Sequence, residues 1–398
     1  MVADLLSMEE AQRLVLERVR PLPPERIPLD DAAGRVLAEP AVAVVDLPPF
    51  DSSAMDGFAV RAADTPGRLP VGFRIAAGRP APRPLEPGEA MAIATGGAVP
   101  DGADSVIPVE YVVDHGNAVE IQEAVEQGVF VRPRGGDARR GAVVVEPGVR
   151  LGPGHLGALA AAGVAEVHAA RRPRAAVLTT GSELRTPGEE LEPGQIYEAN
   201  GVILAAQLAS AGAVVDRLSA VADEEAAHRE ALERGLVADV LVTSGGVSVG
   251  PHDLVRDVGA ELGIEEVFWR VAVKPGKPLW FGVRAGTLVF GLPGNPVSSL
   301  VCFELFVRPA VLALQGVSQP GPRFTPGTLT SAVRRNSARD ELARARTTLV
   351  DGEVTLEPVS GQESHMIVRA AEADALVLIP RGEGELPAGA RVRHLQLG

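Results

Sequence analysis

Lysine is nearly absent from this chain. Of its 38 basic residues only Lys274 and Lys277 are lysines, and both fall in VAVKPGKPLW, 271–280. Genomic base composition explains a scarcity of lysine. It does not explain why the two that remain share one decapeptide. Cysteine is scarcer still. Cys302 is the only one, so no internal disulfide can form, and the chain reads as a protein of the reducing cytoplasm. Cys302 lies in the apolar helical pattern SSLVCFELFV, with no neighbour that would lower its pKa, so it reads as a core residue and not as a nucleophile. Aromatic residues make up 4%, which leaves Ala, Val and Leu to build the cores. The N-terminus lacks the basic start and long apolar run of a signal peptide, and no segment reads as the roughly 18 apolar residues of a membrane span. An excess of positive charge is also missing. The formal net charge of −14 sets aside nucleic acid and anionic membrane surfaces as main partners. An anionic ligand would need a local positive pocket against this field.

What is abundant is glycine, 44 residues, and proline, 33, the residues of turns and stiff loops. A chain of 398 residues exceeds one ordinary core, and two to four domains are expected. MVADLLSMEEAQRLVLERV reads as an amphipathic helix, with Ser7 and Glu10 spaced as a capping box. Residues 1–45 together with 141–172 read as an N-terminal helical and linker domain. Within it, 46–140 changes texture: FRIAAG, AMAIATG, SVIPVEYVV and AVEIQ are short alternating runs, and DHGN (114–117) reads as a hairpin turn. This stretch is an inserted β-rich module. The helical pattern from 151 is expected to return onto the N-terminal helix. Residues 173–318 follow a different rule. RAAVLTT, VADVLVTSGGVSVG and TLVFGLPGNP are apolar runs that end in glycine, each with a helical pattern after it. That alternation predicts βαβ units on a parallel sheet, with KPGKP just before the third strand. After a linker, 325–398 reads as a small β-domain, with Asp351 and Gly352 at a hairpin tip. The fold class is therefore multidomain α/β.

The three glycine-rich loops would share the carboxyl edge of the sheet, where ligands bind. Glycine allows close backbone approach, and loop amides with helix dipoles favour an anion. The lysines add compact point charges suited to a small tetrahedral oxyanion, where arginine would offer a planar fork. Two surface lysines are the ordinary alternative, weakened by the stiff PGKP setting. Among the acids, Asp56 precedes a glycine, Glu183 follows TTGS, and Asp253 opens a helix. A turn residue and an N-cap are the plain readings of Asp56 and Asp253. Carboxylates beside an anion pocket also make sense if Mg²⁺ bridges them. The seven histidines show no metal-ligand spacing. The residues alone thus describe an α/β enzyme for a phosphorylated ligand.

PPFDSSAMDGFAVR, ATGGAVPDGADSVIPVE, RPRGGDARRGAVV, TTGSEL, TSGGVSVGPHD, KPGKP and FGLPGNPVS occur here in one order. From about residue 5 to the C-terminus the chain resembles the molybdopterin molybdenumtransferases of the MoeA type, which are similar to the E domain of gephyrin. The resemblance implies an elongated homodimer. Each subunit would have an N-terminal region with the inserted module, a molybdopterin-binding α/β domain and a C-terminal β-barrel. It implies insertion of molybdate into adenylylated molybdopterin, with release of AMP. By resemblance Lys274, Lys277 and Ser248 hold molybdate, joined by Arg344 and Ser364, with Arg346 a rival to Arg344. Asp253 holds Mg²⁺, assisted by Asp223. Asp56, Thr95 and Asp137 match functional positions that reach the other subunit's site. Glu183 matches the pocket of the pterin-linked nucleotide, and Pro293 and Pro296 match the proline loop that shapes the cleft. The molybdopterin adenylyltransferase and apo-molybdoenzymes are implied as further partners.

Three positions depart from the family pattern: Ser52 for Asn, Phe58 for Tyr and Glu198 for Asp. The enzymes that adenylylate molybdopterin share the α/β domain but lack the long flanking regions, which weighs against them. No further domain is fused, so no role in receptor clustering is expected. A non-catalytic cofactor carrier is the rival from another class. The acids Asp56, Asp223 and Asp253 speak against it, because a carrier has no need of them. Tungstate and molybdate are too alike in size and charge for the sequence to separate.

Overall fold

The computed structural model describes residues 5–222, 224–246 and 254–397. The central domain is a six-stranded sheet in the order Val214–Arg217, Arg174–Thr179, Val240–Ser244, Thr287–Leu292, Trp280–Arg284, Glu265–Trp269. The first four strands are parallel and each of the last two runs antiparallel to its neighbour. The three inner parallel strands read as apolar runs because helices cover both faces, while the edge strand Val214–Arg217 is mostly exposed. Val177, Val242 and Phe290 pack on one side, and Leu178, Leu241 and Val289 on the other.

The sequence reading missed the strand Trp280–Arg284, which lies between the lysines and the strand Thr287–Leu292. Its antiparallel direction has a consequence. Trp280 pairs with Gly291, so the segment just before it, KPGKP, is delivered to the carboxyl edge of the parallel strands. A turn at Ala285 and Gly286, both at positive φ, joins the pair.

The N-terminal helix Met8–Arg18 is capped by Ser7, whose hydroxyl accepts from the Glu10 N–H at 3.1 Å. Its stripe Met8, Ala11 and Val15 packs into the central domain beside Leu305 and Val311. The expected contact with the helix Pro153–Ala161 is not made. That helix packs by Leu159 against Ala32, Leu37 and Val145 instead. Strands Pro24–Pro28 and Glu166–Ala170 pair antiparallel, and Ala41–Val42 pairs with Val143–Val145, so the chain leaves and returns at one place. Between these pairings lies a second six-stranded sheet, which includes the hairpin Val112–Asp114 and Ala118–Ile121.

In the C-terminal region five strands close into a barrel: Asp340–Val350, Glu353–Pro358, Phe324–Leu329, Arg391–Gln396 and Ala375–Ile379, the last pairing back to the first. A short strand of the central domain, Val273–Lys274, adds in parallel to Asp340–Glu341. The lysine loop is thereby hydrogen-bonded to the barrel.

Contrary to the sequence expectation about spans, the 19-residue helical run Pro296–Leu314 is long and apolar enough to cross a membrane. It is 78% buried and forms the core of the central domain through Val301, Phe303, Phe306 and Val311. Its charged residues Glu304 and Arg308 pair with each other.

Candidate functional site

A cleft of about 670 Å³ opens at the carboxyl edge of the central sheet. Its floor is the three glycine loops, held close together. Gly245 has φ +94°, and a Cβ there would lie 2.7 Å from the Thr180 carbonyl, so only glycine fits. The Asn200 amide donates to the Ser244 hydroxyl at 2.8 Å and to the Gly294 carbonyl at 2.7 Å, which ties the second loop to the third. The Ser244 and Ser299 hydroxyls both converge on the Pro293 carbonyl. Pro296 opens the buried helix at its first turn, where a missing N–H costs nothing, and lines the cleft. Glu183 and Glu198 line the opposite side. Glu198 is buried; it accepts from the Gly201 N–H at 2.6 Å and from Arg217 at 3.1 Å. The fold thus gives this departure from the family pattern two partners.

The lysines flank the cleft and do not line it. Lys274 Nζ lies 3.1 Å from Glu341 Oε1, across the seam between central domain and barrel. Glu341 is buried, and Lys274 keeps 42% of its side-chain exposure, so the ammonium is oriented and still reachable. Lys277 is exposed and its side chain has no partner among the described residues. The loop between them is fixed from below. Gly276 has φ +123°, and a Cβ there would come within 2.5 Å of Cys302 Sγ. Complete burial pushes the Cys302 thiol up to about 12, which removes it as a nucleophile and leaves it as packing under the loop.

Ser364 reaches the cleft wall from the barrel side. Its hydroxyl accepts from the Asn295 amide at 3.0 Å, and its carbonyl accepts from the Val297 N–H at 3.1 Å. Arg344 sits differently from what the resemblance implies. It is 1% exposed, and its guanidinium donates to the carbonyls of Gly361 at 2.6 Å, Met366 at 2.9 Å and Glu363 at 3.3 Å. Its donors go to the loop that carries Ser364. Burial lowers its pKa, partly offset by Glu363. The rival Arg346 pairs with Glu372 on the barrel surface.

Asp56, Thr95 and Asp137 stand on the β-rich module and do not line this cleft. Asp56 Oδ1 accepts from the Thr95 N–H at 2.6 Å and from its hydroxyl at 3.0 Å. The amide bond first, then the hydroxyl bond, hold the Asp56 carboxyl below its ordinary value. The ionised form is the one the fold favours, so this contribution is present above the ordinary carboxylate range and lost as pH falls through the lowered value. Thr95→Val should raise the Asp56 midpoint only part of the way, because the amide still donates. An NMR titration of the Asp56 carboxyl carbon checks this, and an unmoved midpoint would refute it. Asp137 is exposed, with its N–H on the Leu47 carbonyl. Ser248, Asp223 and Asp253 lie outside the described residues. Among the described residues no three His, Cys, Asp or Glu side chains gather as a metal cluster.

Sequence reasoning passed over Glu341, Asn200, Asn295 and His365. Asn295 was visible in GLPGNP and His365 beside Ser364, but nothing in the local sequence signals Glu341 or Asn200.

Three family models match the chain in order: MoeA N-terminal region (domain I and II) over residues 6–163, a probable molybdopterin binding domain over 176–313, and MoeA C-terminal region (domain IV) over 326–397. The chain is 38% identical over 403 residues to molybdopterin molybdenumtransferase 2 of Mycobacterium tuberculosis, covering 97% of this chain and 98% of that one. It is 34% identical to molybdopterin molybdenumtransferase of Haemophilus influenzae, covering 98% of each. A crystal structure of the molybdopterin biosynthesis MoeA protein from Pyrococcus horikosii matches with a TM-score of 0.83 at 32% identity over 99% of both chains.

Proposed function

Because the chain belongs to the MoeA family of molybdopterin molybdenumtransferases, a transferase family of molybdenum cofactor biosynthesis, we propose that it inserts molybdate into adenylylated molybdopterin and releases AMP. The observation that carries this reading is the placement of the only two lysines. Both stand at the sheet edge that holds the 670 Å³ cleft, one oriented by a buried carboxylate and one without a partner among the described residues. Lys274, Lys277 and Ser248 hold the oxyanion, with Ser364 at the wall between cleft and barrel. Arg344 is a positioning residue that fixes the loop of Ser364. Glu183, Pro293 and Pro296 shape the pocket for the adenylylated pterin. A molybdate oxygen attacks the pterin-side phosphorus and the phosphoanhydride bond breaks, so AMP leaves. The new P–O–Mo bridge then breaks at its Mo–O bond as the dithiolene sulfurs take the metal, and their two protons leave with one oxo group as water. The fixed cations lower the repulsion between the two anions, and no strong protein base is required.

The reading includes a homodimer in which Asp56, Thr95 and Asp137 of one subunit complete the site of the other. It also includes Mg²⁺ at Asp253 and Asp223, since two carboxylates are the hard oxygen donors that Mg²⁺ takes. Bound there, Mg²⁺ would offset charge on the pyrophosphate bridge.

The test is AMP release from adenylylated molybdopterin, with and without molybdate. Release should require molybdate, stop on addition of a chelator and return with excess Mg²⁺. Tight pterin binding without release would point to a carrier. Release with tungstate alone would point to the other oxyanion.

A further inference from the structure

The cleft has a charge problem that the lysines do not solve. Among the described residues that line it there is no lysine or arginine; Glu183 brings negative charge, and Glu198 is already paired with Arg217. The proposed ligand carries a pyrophosphate. One described lining residue can bear a positive charge, and it is His365.

His365 belongs to the loop 361–366, which enters the cleft from the barrel side. Its backbone is fixed on both flanks. Arg344 donates to the carbonyls of Gly361, Glu363 and Met366, and Ser364 is joined to Asn295 and to the Val297 N–H. The His365 carbonyl itself accepts from the Ile367 N–H at 2.9 Å. The imidazole is exposed, with no hydrogen-bond or ion-pair partner among the described residues. A side chain on so closely held a backbone, pointing into a cleft with nothing to bond, is placed for a ligand. Thr180 gives a second sign of one. It is 7% exposed, it lines the same cleft, and its hydroxyl is buried with no hydrogen-bond partner among the described residues. Buried hydroxyls are otherwise satisfied.

We propose that His365 is a direct substrate contact. As imidazolium it donates to a phosphoryl oxygen of the nucleotide half of the substrate and supplies the positive charge that the cleft floor lacks. This inference rests on the reading of the cleft as the site of the adenylylated pterin.

The test uses AMP as the probe. Its affinity for the full-length protein is measured by calorimetry for wild type, His365→Ala, His365→Gln and His365→Lys. Thermal midpoints should agree among the four, because the side chain is exposed. His365→Ala and His365→Gln should bind AMP about tenfold more weakly, the loss of one charge-assisted hydrogen bond. His365→Lys should recover most of the loss. KM for the adenylylated pterin should rise in the first two variants, with the molybdate dependence unchanged. Wild-type AMP affinity in His365→Ala would overturn the proposal, and so would an equal loss in His365→Lys, because the loop and not the charge would then be at fault. Failure of the wider reading looks different: the wild type would neither bind AMP nor release it.

Discussion

Lys274→Ala/Lys277→Ala should lose molybdate-dependent AMP release by at least about a hundredfold, the scale expected when fixed charge donors at a transition state are removed. Binding of the adenylylated pterin should change little, because neither lysine lines the cleft. The two substitutions act differently. Lys277 is exposed and without a partner among the described residues, so its loss removes a cation and leaves the fold alone. Removing Lys274 also strips the partner from Glu341, a buried carboxylate, and leaves a charge in a poor medium. Lys274→Ala alone should therefore lower stability as well as activity. Adding Glu341→Gln should restore stability and leave activity lost. The readings are AMP release against molybdate concentration, pterin affinity by fluorescence titration, and urea midpoints. Equal loss of pterin binding and AMP release would defeat the assignment, and so would a double variant as active as wild type.

Arg344→Ala should be the most damaging change in the barrel. The guanidinium is 1% exposed and donates to three carbonyls and the Gln362 amide oxygen. Those acceptors would be left in a space that water cannot enter freely. Orphaned buried acceptors and the lost side-chain volume together amount to roughly 3 kcal/mol. Arg344→Lys should recover little, since one ammonium cannot span positions set for a planar fork. The loop 361–366 should exchange its amide hydrogens faster in both variants, and Ser364 and His365 should lose their fixed places. Urea denaturation and hydrogen exchange give the two readings. A direct oxyanion role predicts another pattern, with activity lost, stability kept and loop exchange unchanged.

Three of the four parallel strands were legible because burial on both faces writes itself as unbroken apolar residues, as in RAAVLTT and TLVFGL; the edge strand Val214–Arg217 is largely exposed and half polar, and was not. The lysines were legible because the rest of the chain avoids lysine. Long-range pairing was not legible. Glu341 stands 67 positions from Lys274, and their contact depends on a two-residue strand joining another domain's edge. The strand Trp280–Arg284 escaped notice because WFGVRAGTLVF has the texture of one run broken by two glycines. The N-terminal helix presents small apolar residues that suit two surfaces, and only the packed core decides between them. LARAR alternates cleanly, but alternation alone does not say which side is inside. In the fold Ala343 and Ala345 face the barrel core, so Arg344 and Arg346 share its outer face, where the loop 361–366 covers Arg344 and leaves Arg346 exposed.

The two residues Val273 and Lys274 that extend the barrel edge make the height of the Lys274 ammonium a measurement taken from another part of the chain. An engineer who lifts out the central domain carries both lysines away but leaves the ruler behind. The converse also holds. Selectivity among oxyanions could be adjusted from strand Asp340–Val350, by small shifts of its register, with the lysine loop itself left unaltered.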